Sequence, residues 1–250
     1  MDEPGKNPDL SKVWCVIPVY NNATTVVDVV RRCHRQICNV LVVDDGSTDI
    51  DLRGKLGDLD IHVIRHETNR GKGAAIISAL DFLRKCDATY MITVDADGQH
   101  YPEDIPSFFP LIADNDCTMV IGCRDFSVAN IPNSSRVGRR ISNFWMKIET
   151  GLDISDCQSG YRAYPVKSLL QMNFICRHYN FETEVLVRAA WGGLEFKCLP
   201  VRTLYPESRL RISHFRPCRD NLRISLIHFH FVILRLLLTP TQKLTGKKIL

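Results

Sequence analysis

No two of the ten cysteines form a CxxC pair, and they are scattered singly through apolar contexts such as Cys15 and Cys198 or helical ones such as Cys33 and Cys86. That spacing argues against a zinc ribbon or a disulfide framework, and reduced thiols acting as small hydrophobes are expected. No apolar stretch opens the chain. Residues 1–11 (MDEPGKNPDLS) are polar with two prolines, so no secretory leader is expected and the protein is expected to stay in the cytoplasm. No apolar run reaches the ~20 residues that a bilayer-spanning helix needs. GxGxxG is missing after the first apolar run, which disfavours a dinucleotide-binding enzyme, and NRGKG (69–73) is too short for a Walker-type phosphate loop. Internal repeats and low-complexity tracts are absent as well.

What is present is the composition of an ordinary globular protein. The 250 residues are 45% hydrophobic, enough for one large domain with a sizeable core. The net charge of +4 is unevenly placed: residues 206–250 hold nine Lys/Arg against two acids, and residues 1–205 hold 23 against 26. The basic character therefore belongs to the tail. There it flanks the apolar run ISLIHFHFVILRLLL (224–238), expected to end at Pro240. Such a segment suits an anionic membrane surface better than nucleic acid, as an amphipathic helix lying in the interface. Packing on the protein's own core or on a second subunit, as in a homo-oligomer, is the alternative. The expected organisation is a polar tail (1–11), a main domain (12–205) and a basic, apolar C-terminal segment (206–250).

Four short apolar runs, at 13–18, 40–43, 61–64 and 90–94, alternate with helical or turn-rich stretches, including helices expected at 23–35 and 74–83. Continuous runs of this kind imply an α/β fold with a mainly parallel sheet covered on both faces. Ligands of such sheets bind beyond the carboxyl ends of the strands. The polar clusters PVYNN, DDGSTD, NRGKG and DADGQH all fall there. Further on, a helix is expected at 105–112, a strand at 119–122, a polar loop at 125–138, and helices at 139–150 and 181–190.

In DADGQH, Asp95 and Asp97 stand two residues apart after the apolar YMITV, so both side chains sit near one turn at a strand end. Paired carboxylates suit a hard divalent cation, Mg²⁺ or Mn²⁺, that completes its shell with substrate phosphates. Gln99 adds a neutral oxygen. The flanking Ala96 and Gly98 let a ligand approach the backbone.

The order and spacing of IPVYNN (17–22), VVDDGSTD (42–49), NRGKGAA (69–75), DADGQH (95–100), GCR (122–124), SDCQSGYRAY (155–164) and FETE (181–184) resemble family 2 glycosyltransferases with the GT-A fold. The resemblance is to the polyprenyl-phosphate sugar synthases typified by dolichol-phosphate mannose synthase, and it covers residue 13 to about residue 210. It implies a nucleotide-sugar donor contacted by Pro18, Tyr20, Asn22, Asp44, Asp45, Lys72 and Asp95, with Asp95, Asp97 and Gln99 as metal ligands. Asp97, Arg124 and Arg140 are implied as catalytic, the two arginines toward an acceptor phosphate.

The segment YPESRLRISHF (205–215) departs from the synthase pattern. Thr203 stands where a phosphate-binding arginine belongs, leaving Arg209 or Arg211 to substitute. A phosphate acceptor needs no general base. A lipid or aryl-polyene hydroxyl acceptor would need one, for which His100 is the candidate. Glu184 is a further candidate for charge stabilisation, with a structural carboxylate as its alternative. The implied activity is inverting hexosyl transfer from a GDP- or UDP-sugar to a polyprenyl phosphate at the inner face of the membrane.

Overall fold

The computed structural model describes residues 8–113, 117–126, 133–204 and 215–245. The four apolar runs become strands β1 (Val13–Val19), β2 (Val40–Asp44), β3 (His62–Arg65) and β4 (Tyr90–Thr93). Strands β5 (Thr118–Arg124), β6 (Arg162–Pro165) and β7 (Glu195–Val201) complete a seven-stranded sheet in the order β3-β2-β1-β4-β6-β5-β7. Only β6 runs antiparallel to its neighbours; the other pairings are parallel. Every residue of β2 and β4 is buried, as parallel strands covered on both faces require.

Alternation along β1 feeds two hydrophobic clusters. Trp14 and Val16 join one, with α3 (Lys72–Lys85), α6 (Val166–Leu170) and α7 (Phe181–Trp191). Val13, Cys15 and Ile17 join the other, with α1 (Val26–Gln36), α2 (Leu52–Leu56), a 3-10 helix (Pro102–Phe108) and α4 (Phe109–Ile112). The expected helix at 105–112 is thus a 3-10 turn followed by a short α-helix. The expected polar loop at 125–138 overlaps a helix, since α5 spans Asn133–Thr150.

Beyond the sheet, α8 spans Pro217–Thr245 and passes Pro240, where the sequence reading stops it. It packs on α5 and α7, burying Ile227, His228 and Phe231 and exposing Leu226, Phe229, Leu236 and Leu237. His228 Nδ1 meets Glu149 Oε1 of α5 at 2.7 Å in a buried pair. One side of α8 therefore belongs to the domain's own core while the opposite side is apolar and exposed. Among the described residues no helix is long and apolar enough to cross a membrane.

The cysteine reading needs one correction. Cys123 and Cys198 form a disulfide between the adjacent strands β5 and β7, while the other eight are free thiols. Residues 75 apart in sequence meet only because the sheet pairs these strands.

Candidate active site

The loops that follow β1 to β4 converge on one edge of the sheet and line a cavity of ≈ 520 Å³. Pro18, Tyr20, Asn22, Asp45, Lys72, Asp95 and Asp97 all stand on its wall. Seven of the residues expected from sequence are thus brought together.

Asparagine and aspartate chemistry holds the first loops in shape. The Asn21 N–H donates to Ser47 Oγ at 3.0 Å and Thr48 N–H donates to Asn21 Oδ1 at 2.9 Å, tying the β1 loop to the β2 loop. Asp45 accepts from the N–H groups of Arg70 and Gly71 at 2.8 and 2.7 Å and pairs with His66 Nδ1 at 2.6 Å. Gly71 has φ +100°, and a Cβ there would collide with His178 Nδ1 and Arg177 O, so only glycine fits. Asp44, by contrast, is off the cavity wall. Its oxygens accept from Ser47 N–H and Arg65 Nη1, both at 2.8 Å, so it shapes the loop.

At the centre, Lys72 Nζ lies 2.6 Å from Asp95 Oδ1 and 2.5 Å from Glu182 Oε1. Burial opposes the lysine's charge, but the two carboxylates outweigh it and raise its pKa. Asp95 is held below its usual range: burial would raise it, and the charges of Lys72 and Arg124 more than compensate. Asp97 is pushed up to about 6, by burial first and by the charge of Asp95 second. The two carboxylates are therefore unequal, one compensated by an ammonium group and the other under-compensated. A Cβ on Gly160 would fall 2.5 Å from Asp95 Oδ2 and 2.7 Å from Lys72 Nζ, so the SGYR glycine leaves the room this cluster occupies.

Asp95 and Asp97 would offer carboxylate oxygens to Mg²⁺ or Mn²⁺, with the Lys72 ammonium competing for Asp95. Among the described residues no three His, Cys, Asp or Glu side chains are grouped to hold a metal ion, so substrate phosphates and water would have to complete its shell. Gln99 is not on the cavity wall; its backbone N–H donates to Asp97 Oδ1 at 3.0 Å. His100 is also off the wall. It is buried, stacked near Tyr161 at 5.0 Å, and pushed down to about 4 mainly by burial, so it is neutral at pH 7.

The arginines differ from expectation. Arg124 is engaged bidentately by the fully buried Asp156, with Nε to Oδ2 at 2.7 Å and Nη2 to Oδ1 at 2.8 Å, in place of an open phosphate-facing fork. Its charge still lowers both Asp95 and Asp97. Arg140 lies within α5 and is exposed, away from the cavity wall. Arg209 and Arg211 lie outside the described residues. Glu184 is buried and accepts from the N–H groups of Ile175 and Cys176 and from Arg188 Nε, a structural role. Glu182, two positions earlier in FETE, is the one that reaches Lys72.

The wall also includes residues not singled out as site candidates from sequence: His178 and Tyr179 before α7, Phe215 and Arg216 just before α8, and Arg219, Asp220 and Arg223 at its start. The Tyr179 and Phe215 rings meet edge to face at 5.5 Å. The C-terminal segment is therefore part of the site and not an appendage.

The model of the family described as "Glycosyl transferase family 2" matches residues 14–172. The UDP-N-acetylglucosamine–dolichyl-phosphate N-acetylglucosaminyltransferase of Methanococcus voltae is 29% identical over 217 residues, covering 78% of this chain and 86% of that protein. The polyprenol monophosphomannose synthase of Mycolicibacterium smegmatis is 27% identical over 225 residues, covering 85% and 84%. The crystal structure of mannosyl-3-phosphoglycerate synthase from Rubrobacter xylanophilus superposes with a TM-score of 0.66 at 19% identity, covering 96% and 80%, a likeness of fold.

Proposed function

The chain belongs to glycosyl transferase family 2 and is a glycosyltransferase of GT-A fold, and we propose that it moves a hexose from a GDP- or UDP-sugar to a polyprenyl phosphate, with inversion. The observation that carries this reading is the meeting of Asp95, Asp97 and Lys72 on the wall of one cavity with Pro18, Tyr20, Asn22 and Asp45. The similarity to relatives named for dolichyl-phosphate and polyprenol acceptors supports the acceptor class.

Tyr20 and Pro18 flank the nucleobase, and Asn22 and Asp45 offer acceptors to base N–H or ribose hydroxyl groups. Asp95 and Asp97 would hold Mg²⁺ or Mn²⁺, which when bound would neutralise charge developing on the leaving nucleotide. Lys72, kept in place by Glu182, turns from Asp95 toward a phosphate oxygen of the donor. Arg124, fixed by Asp156, acts on this centre through its charge. A phosphate monoester is already nucleophilic at neutral pH, so positioning and electrostatics suffice. The burial of His100 off the cavity wall favours the phosphate acceptor, which needs no base, over a hydroxyl acceptor.

The exposed apolar side chains of α8 and of α5, among them Ile141 and Phe144, form the face on which the enzyme rests against the inner leaflet. Cosedimentation with anionic vesicles, weakened by salt, is the expected result; equal partition with and without vesicles contradicts it. For the reaction, the protein is incubated with Mn²⁺, labelled UDP- and GDP-hexoses and undecaprenyl phosphate. Organic-phase label that EDTA abolishes supports the proposal. Label in no organic phase with any donor refutes this acceptor.

A further inference from the structure

The cavity has walls of opposite charge. Asp45, Asp95 and Asp97 stand on the sheet side, and Arg216, just before α8, and Arg219 and Arg223, at its start, face the same space. Other cations near the centre are already engaged: Lys72 lies between Asp95 and Glu182, Arg124 is clasped by Asp156, and Arg162 is fully buried and bonded to the carbonyls of Cys157 and Glu182. The guanidinium groups of Arg216 and Arg219 are not. Among the described residues, neither the Arg216 nor the Arg219 guanidinium has a carboxylate partner. Arg223 meets Asp220 at 3.3 Å, and Asp220 also accepts from the Arg216 N–H.

Arg219 and Arg223 are four residues apart, so they project from one face of α8 a single turn apart. The helix start is not free to drift from the cavity, because Phe215 packs on Tyr179 and Asp220 is buried. Their charge is felt at His178 on the same wall, whose pKa is lowered by burial first and by Arg223 and Arg219 in addition. Asp220, on the same wall and 3.3 Å from Arg223, offsets part of this charge and leaves Arg219 without a carboxylate partner among the described residues.

We propose that Arg219 and Arg223 form a phosphate-binding wall that closes the substrate cavity opposite Asp95 and Asp97. The ligand chemistry is a phosphate oxyanion held by guanidinium hydrogen bonds, supplied by the donor's diphosphate or by the acceptor's phosphomonoester. The assignment rests on the reading that the cavity takes a phosphorylated substrate. It gives α8 a role in substrate recognition in addition to its packing on α5 and α7.

The test is calorimetric titration of the full chain and its R219A/R223A and R219K/R223K variants with UDP–Mn²⁺, GDP–Mn²⁺, farnesyl phosphate in micelles and inorganic pyrophosphate. Arg219 is exposed and Arg223 half-buried, and an unchanged melting temperature confirms that the variants fold. The alanine pair is expected to weaken at least one phosphate probe by about tenfold or more, as loss of charge-assisted hydrogen bonds implies, with partial retention in the lysine pair. Loss confined to the nucleotides assigns the wall to the donor, and loss confined to farnesyl phosphate assigns it to the acceptor. If the wild type binds pyrophosphate through this wall but neither nucleotide nor lipid phosphate, the wall stands and the glycosyl-transfer reading falls. If the wild type binds nucleotide and the alanine pair binds every probe equally well, the wall is refuted and the transfer reading survives. Absence of binding by the wild type to all probes overturns both.

Discussion

Replacing Lys72 by methionine keeps the length and apolar stem of the side chain but removes the ammonium that lies 2.6 Å from Asp95 and 2.5 Å from Glu182. The three side chains are 14, 25 and 14% exposed for Lys72, Asp95 and Glu182, so water does little to compensate the stranded carboxylates. Breaking a largely buried pair by deleting one partner costs about 3–5 kcal/mol. For a domain of this size each kcal/mol lowers the melting temperature by about 2–4 °C, so K72M is expected to melt roughly 6–20 °C below wild type without metal. Mn²⁺ supplies positive charge to the same carboxylates, so its stabilising shift is expected to be larger in K72M than in wild type. Differential scanning fluorimetry at pH 7.5, with EDTA or with Mn²⁺, reads both quantities. A variant melting within 2 °C of wild type, with an unchanged Mn²⁺ shift, would show that Lys72 does not balance this cluster.

Three other outcomes follow from the same geometry. Asp97 titrates at about 6 in the folded chain against 3.8 for the isolated group, so the folded metal-free protein keeps a proton that the unfolded chain has released. Metal-free stability therefore falls as pH rises from about 4 to 6, and Mn²⁺ binding near pH 5 releases close to one proton, fading above about pH 7; buffer-dependent calorimetry that finds no proton release at pH 5 contradicts the assignment. Gly160→Ala puts a methyl 2.5 Å from Asp95 Oδ2 and is expected to weaken Mn²⁺ binding by about tenfold or more while the chain stays folded; unaltered affinity means that the cluster tolerates displacement. Glu184→Gln is expected to lower stability by about 1–3 kcal/mol, through lost charge at a carboxylate serving two backbone N–H groups and Arg188. Urea unfolding measures it, and a loss of turnover without loss of stability points to a direct chemical role.

The central strands and their loops were legible because parallel strands buried on both faces read as unbroken apolar runs. β6 and β7 were not. In β6 the fully buried Arg162 interrupts the apolar signal, its charge compensated by carbonyls and Glu182 that sequence cannot place beside it. In β7, Glu195 is exposed and several neighbours are half-buried, so no clean run appears. The motifs singled out Asp95, Asp97 and Lys72, which share one cavity wall, but could not say where Arg124 spends its hydrogen bonds, because Asp156 comes from 32 residues away. FETE offered two glutamates on one helix, and only packing separates Glu182, turned to Lys72, from Glu184, turned inward to the 175–176 backbone. The α8 wall was hidden for a different reason: an apolar, basic helix announces a surface, and nothing in its periodicity says that its first turn reaches a cavity formed by loops more than a hundred residues earlier.

The most direct test of the account's central claim, a cation held by Asp95 and Asp97 to which the donor diphosphate docks, is an electron paramagnetic resonance titration of Mn²⁺ into wild type, D95N and D97N, with and without UDP or GDP. The account predicts bound Mn²⁺ in wild type, tightened by one of the nucleoside diphosphates, and lost or weakened by about tenfold or more in both variants. Mn²⁺ binding that is indifferent to both aspartates and to both nucleotides would contradict it.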